Sequence, residues 1–183
     1  MGRKGFTLIE LLVVVTLITA ALGMIWQVWL NAGHTQAVLG KKITVTQSAA
    51  HGMARIRHEL RGAARHSLSP LPASELRFRV VVEGAGWPLD EQGQPRLSEE
   101  HHITPDWDDR NQDGLRARQL VLIAGDDVEV LTNHLAEGDG ESGGVWFDGG
   151  EDTVLVHLRA RESTRRGIVL ESVAIETIAP RNP

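Results

Sequence analysis

The sequence predicts an α+β chain: one long amino-terminal helix, then a set of antiparallel strands. Three observations predict it. Residues 6–30 are almost wholly apolar, apolar side chains keep returning at helical spacing after them, and short alternating segments follow from residue 75 onward.

The apolar run carries a single charge, Glu10. About 20 apolar residues in a helix rise roughly 30 Å, the thickness of a bilayer's hydrocarbon layer, so this run is long enough to span a membrane. Arg3 and Lys4 precede it and belong on the cytoplasmic side, which sends the rest of the chain across. An ordinary cleaved signal peptide has a shorter apolar core, about 7 to 15 residues. A carboxylate within such a segment costs roughly 2.5 to 3.5 kcal/mol, so Glu10 calls for a partner. Trp26 and Trp29 stand at the outer end, where indoles favour the membrane interface, and packing against neighbouring helices fits them equally well.

Beyond residue 30 the apolar positions Leu39, Ile43, Ala49, Met53, Ile56 and Leu60 keep one helical face apolar, which predicts that the helix continues to about residue 66. Arg61, Arg65 and His66 suit the negative end of the helix dipole, and Ser67, Ser69 and Pro70 close it. Residues 75–82 alternate, with Leu76, Phe78, Val80 and Val82 on one side and Arg77, Arg79 and Val81 on the other. Further strands are expected at 118–124, 127–131, 144–147, 153–159 and 168–177, with Gly125-Asp126 and Gly149-Gly150 as turns. The half-apolar second part of the helix can then bury its stripe on the sheet.

A length of 183 residues allows one domain and an additional segment, and the lack of cysteine removes disulfides and thiolate metal sites. The net charge of −5 is uneven: residues 83–152 hold 18 acidic and 4 basic side chains, a balance of −14, which leaves +9 elsewhere. Such an acidic block repels phosphate backbones, so no direct nucleic-acid binding is expected.

The densest local pattern is Asp109-Arg110-Asn111-Gln112-Asp113-Gly114, with Asp106 and Asp108 beside it. Asp109, Asn111 and Asp113 alternate as oxygen ligands before a glycine, like the first half of a Ca²⁺ loop. A complete EF-hand is excluded, because Leu120 occupies the twelfth position. Two readings fit: an abbreviated Ca²⁺ site and a solvated Asx turn. His101-His102 reads as a solvated loop, since adjacent side chains on an extended chain diverge and no third ligand follows. His51 and His58 read as surface residues of the helix. No nucleophile elbow, phosphate loop or paired-carboxylate signature occurs, so catalysis is not expected.

The start Gly5-Phe6-Thr7-Leu8-Ile9-Glu10-Leu11-Leu12-Val13 resembles the cleavage and methylation motif of type IV prepilins. The resemblance implies a leader of residues 1–5, a membrane and filament helix over 6–30, and an exported pilin-like domain over 31–183. It implies cleavage between Gly5 and Phe6 by a prepilin peptidase, methylation of the new Phe6 amine, and docking of Glu10 on the amino terminus of a neighbouring subunit. The implied partners are other pilin or pseudopilin subunits, an inner-membrane assembly platform and the lipid bilayer. The amino terminus is then cytoplasmic and the carboxy-terminal domain periplasmic or otherwise extracytoplasmic. The stretch Ala54-Arg55-Ile56-Arg57-His58-Glu59-Leu60-Arg61 before a first strand is similar to minor pseudopilins of the J type and to PilW-like minor pilins. Major pilins often carry a proline further along this helix; here the first proline is Pro70.

Overall fold

The computed structural model describes residues 7–82, 96–106, 109–110, 113–114, 118–138, 143–150 and 152–180. It has one long helix, α1 (Leu8–Gly62), and seven strands: β1 (Leu76–Val81), β2 (Leu97–Pro105), β3 (Leu120–Ala124), β4 (Asp127–Thr132), β5 (Val145–Gly149), β6 (Val154–Ser163) and β7 (Val169–Ile178). The fold is α+β, as expected, but the strands form two antiparallel sheets, β1-β2-β3-β4 and β5-β6-β7.

The chain divides into two units, Met1–Gly40 and Lys41–Pro183. In the first, every residue from 7 to 37 is exposed. Hydroxyls on this apolar surface turn back on the helix itself: Thr16 donates to the carbonyls of Leu12 and Val13, and Thr19 to that of Val15 at 2.8 Å.

In the second unit α1 buries Val45, Ala49, Gly52, Met53, Ile56 and Leu60. Steps of about 100° per residue place these on one side of the helix and put Leu39 and Ile43 off that side. Both are more than half exposed, so the stripe expected from sequence is corrected at its start, where Val45 takes the buried place. The helix also ends earlier than expected, at Gly62. Ala63 pairs with Val80 and the Ala64 N–H donates to the Arg79 carbonyl at 2.8 Å, so strand pairing takes over the backbone before a short 3-10 turn at Arg65–Ser67.

Ile56 and Leu60 meet Leu76, Phe78, Ile103, Leu120 and Leu131 from the first sheet, and Phe147, Val156, Leu158 and Ile178 from the second. One core therefore serves both sheets. Gly52 is the point of closest approach: a Cβ there would lie 2.9 Å from both Leu158 and Thr132, one on each sheet. Between the sheets, Ala73 pairs with Phe147 and Leu135 with Ala160.

Residues 97–105, in which His101-His102 is expected to be a solvated loop, form β2 instead, paired with β1 on one side and β3 on the other. The two histidines do diverge. His101 lies against Phe78 with its Nδ1 3.7 Å from Glu59, whereas His102 Nε2 lies 3.0 Å from Glu75. His51 and His58 are exposed on the helix.

Polar contacts fix the helix around its apolar stripe. Arg55 pairs with Glu129 on β4, and Arg57 makes a two-pronged contact with Glu176 on β7. Nearer the start of the unit, Lys41, Arg118 and His134 converge on the carboxylate of Glu162, at 3.1, 3.4 and 3.0 Å. The hydrogen bond from Lys41 holds the Glu162 carboxyl below the usual carboxylate range; partial burial opposes this, and His134 and Arg118 reinforce it.

Two predictions follow from this packing. Ile56→Ala should cost about 2 to 5 kcal/mol in urea unfolding, as a large-to-small change in a closed core, while Ile43→Ala should change stability by less than about 0.5 kcal/mol. Equal losses at the two positions would show that the stripe is misplaced. A carboxyl depressed on folding stabilises fully above its unfolded value of about 4.3, and that contribution is lost as pH falls through the lower folded value. The gap in melting temperature between wild type and Glu162→Gln should therefore be widest near neutral pH and close below about pH 4. A gap that stays constant down to acid pH would assign the effect to packing rather than to charge.

Candidate processing and assembly segment

The helix begins where the sequence provides a cap. Thr7 precedes the first helical residue and its hydroxyl oxygen accepts the Glu10 backbone N–H at 3.3 Å, while its carbonyl accepts the Leu11 N–H at 3.2 Å. Thr7-Leu8-Ile9-Glu10 has the Ser/Thr-x-x-Glu spacing of a capping box, a signal legible in the sequence that the strand and span reading passes over. The acidic side chain of Glu10 also suits the positive end of the helix dipole. A cap and a dipole act on the first turn alone, and both leave the Glu10 carboxylate exposed and without a side-chain partner among the described residues.

From Leu8 the helix is long and apolar enough to cross a membrane, and none of its apolar window is buried within the protein. Leu8, Ile9, Leu11, Leu12 and Leu17 are each more than half exposed. In water such a surface is unfavourable by about 25 cal/mol for each Å² of apolar area, so it calls for lipid or for other helices. Trp26 and Trp29 stack with ring centroids 5.7 Å apart, which places two indoles together at the far end of the apolar run. Gly5 and Phe6, the residues on either side of the expected cleavage, lie outside the described residues.

The acidic loop is built differently from a simple chain of ligands. Asp106 is buried, and both of its carboxylate oxygens accept the Arg110 backbone N–H, at 3.0 and 3.1 Å. Asp109 takes a left-handed conformation, with φ 54°, and accepts the N–H of Gly114, whose own φ of 81° suits glycine. Asp113 accepts from the amide of buried Gln119 at 2.6 Å, and the same amide reaches Asn133 at 2.8 Å. Asp108 and Asn111 lie outside the described residues. Among the described residues, no three histidines or carboxylates are grouped to hold a metal ion. The carboxylates of Asp106, Asp109 and Asp113 thus each serve hydrogen bonds that shape the turn, and Leu120, at the twelfth position, is core.

Residues 1–26 match the family model of the prokaryotic N-terminal methylation motif. No curated protein and no solved structure matches the chain. The motif match, carried on a capped and unburied apolar helix, supports a type IV prepilin-like protein.

Proposed function

We propose that this chain is a structural subunit, a minor pilin or pseudopilin, of a type IV pilus, a type II secretion pseudopilus or a related DNA-uptake filament. The single observation that carries the reading is the methylation motif over residues 1–26, which runs into a helix whose apolar side chains are exposed among the described residues. A prepilin peptidase cleaves between Gly5 and Phe6, the Phe6 amine is methylated, and the helix stays in the inner membrane until the subunit joins a filament. The globular unit then lies on the periplasmic side.

Glu10 has a definite task in this reading. Its carboxylate is the only charge in the apolar run, and the desolvation it suffers there is offset when a neighbouring subunit's amino terminus comes close. Attraction between the two charges is several times stronger in a low-dielectric surrounding than in water. The subunit therefore acts by assembly and not by catalysis. Within the class, the run Ala54-Arg55-Ile56-Arg57-His58-Glu59-Leu60-Arg61 favours a J-type or PilW-like minor subunit. The competing reading is a single-pass anchored extracytoplasmic binding module or enzyme whose start merely resembles a prepilin; it predicts an unprocessed amino terminus.

Mass spectrometry of the native protein separates the two. Filament membership predicts loss of residues 1–5 and one added methyl group on Phe6, and an intact amino terminus would overturn it. Gly5→Leu should block cleavage, because the peptidase must admit a very small side chain at the scissile bond. Glu10→Val should be cleaved normally yet fail to enter filaments, and normal incorporation of this variant would remove the docking role.

A further inference from the structure

β7 is the outer strand of its sheet, joined to β6 along its full length from Val169 to Ile178. Among the described residues no strand pairs with its other edge. Exposed edges of this length are normally blunted by charged side chains, above all lysine, by proline or by a bulge, because a bare row of backbone N–H and C=O groups invites another strand. The two charges of β7, Glu171 and Glu176, are instead paired within the chain with Arg159 and Arg57. β7 has no lysine and no proline, and its ladder with β6 runs without a register shift. It also carries exposed apolar side chains, Val169, Val173 and Ile175, the last of them 59 % exposed.

The order of residues along this edge indicates what covers it. From Leu170 to Ile178 the sequence is Leu-Glu-Ser-Val-Ala-Ile-Glu-Thr-Ile, and its pattern of apolar and polar residues reads the same in both directions about Ala174. Antiparallel pairing of two such strands with Ala174 on the axis sets Val173 against Ile175, Glu171 against Thr177, Ser172 against Glu176 and Leu170 against Ile178. Apolar residues meet apolar residues, polar residues meet polar ones, and no glutamate faces a glutamate. Registers centred on 171 or 176 would place like charges directly opposite each other, which is destabilising. A two-fold contact requires a surface complementary to itself, and this strand has that property in its sequence.

We propose that β7 is an interface through which two copies of this chain pair edge to edge, antiparallel about a two-fold axis at Ala174, joining two three-stranded sheets into one of six strands. The contact is strand addition, in which backbone hydrogen bonds supply affinity and the alternating side chains fix the register. The outer face of β6 is compatible with it, because Arg159 and Arg161 stand beside Val173 and Glu171 in the ladder and meet no basic residue of the second copy in this register. This contact goes beyond the filament reading and does not depend on it, since it uses the globular unit alone and neither Gly5 nor Glu10 takes part.

The full chain, in detergent and in membranes, provides the test, and its lack of cysteine gives a clean background. Residues facing each other in an antiparallel pair have Cα atoms about 4.5 to 5.5 Å apart, within disulfide reach. Ala174→Cys should therefore cross-link to a dimer on mild oxidation, whereas Ser172→Cys, off the axis, should not. Because Ala174 is partly buried, an exposed position provides a second measurement. A spin label on Glu171→Cys lies three residues from the axis in each copy, so the two labels should be about 20 Å apart. Ile175→Lys added to either variant should abolish the cross-link and the label separation. Labels showing no mutual separation in that range would overturn the proposal, and so would cross-linking of Ser172→Cys as readily as Ala174→Cys or a cross-link to a different protein.

Discussion

The globular unit depends on one constraint: the apolar stripe of Val45, Ala49, Met53, Ile56 and Leu60 must be removed from water by two sheets at once. Met53, Ile56 and Leu60 enter a core built from both sheets, with Phe78 and Leu120 from the first and Phe147 and Leu158 from the second, while Val45 and Ala49 pack with Ala160. Gly52 makes the shared arrangement feasible, because it lets the helix backbone come within van der Waals reach of Thr132 and Leu158 together. With the helix so placed, the remaining core positions follow. Phe78 and Phe147 are fully buried in this core, and the bridges Ala73 to Phe147 and Leu135 to Ala160 tie the segments beside β1 and β4 to the second sheet.

Most of this order was legible in the sequence where a residue pattern has one physical reading. The apolar run reads as a helix long enough to cross a membrane, and the alternation of Leu76, Arg77, Phe78 and Arg79 reads as a strand with one dry face. β2 was not legible. Its residues Leu97-Ser98-Glu99-Glu100-His101-His102 look like a solvated segment, and only Ile103 among the later ones is fully buried and apolar. What makes it a strand is its place between β1 and β3, which satisfies its backbone on both sides and outweighs the low strand preference of its side chains. The division into two sheets was equally hidden, since alternation reports which face is dry and not which strands are neighbours.

The processing segment shows the same contrast at the level of single residues. Glu10 stood out because a charge within an apolar run has a cost that demands an explanation, and the motif around it is compact. Thr7 carried an equally readable signal, the spacing of a capping box, yet its role emerges only when the helix start is located. The acidic loop gave the opposite lesson. Alternating oxygens and a glycine describe a Ca²⁺ loop and a hydrogen-bonded turn equally well. The hydrogen bonds that shape the turn, from the Arg110 backbone to Asp106 and from the amide of Gln119 to Asp113, depend on backbone geometry and on a residue six positions away, neither of which the spacing of oxygens reports.

Charged residues on α1 do a different kind of work from the stripe they flank. Arg55, Arg57 and Glu59 alternate along the helix and reach Glu129, Glu176 and His101 on three different strands. The two arginine pairs, partly open to solvent, are worth about 0 to 1 kcal/mol each, far less than burial of Ile56 or Leu60. They cannot be what holds the helix on the sheets. What they can do is choose among orientations that burial alone leaves close in energy, because a rotation of one residue, about 100°, would carry all three away from their partners together. Glu162 acts in the same way at the other end of the buried stretch, where one carboxylate gathers Lys41, Arg118 and His134 from the helix and from two connecting segments. Burial thus supplies the stability and the scattered charges supply the register. That division accounts for the charged Arg55, Arg57 and Glu59 among the buried Ile56 and Leu60, where a purely amphipathic pattern would have been enough to bury the stripe.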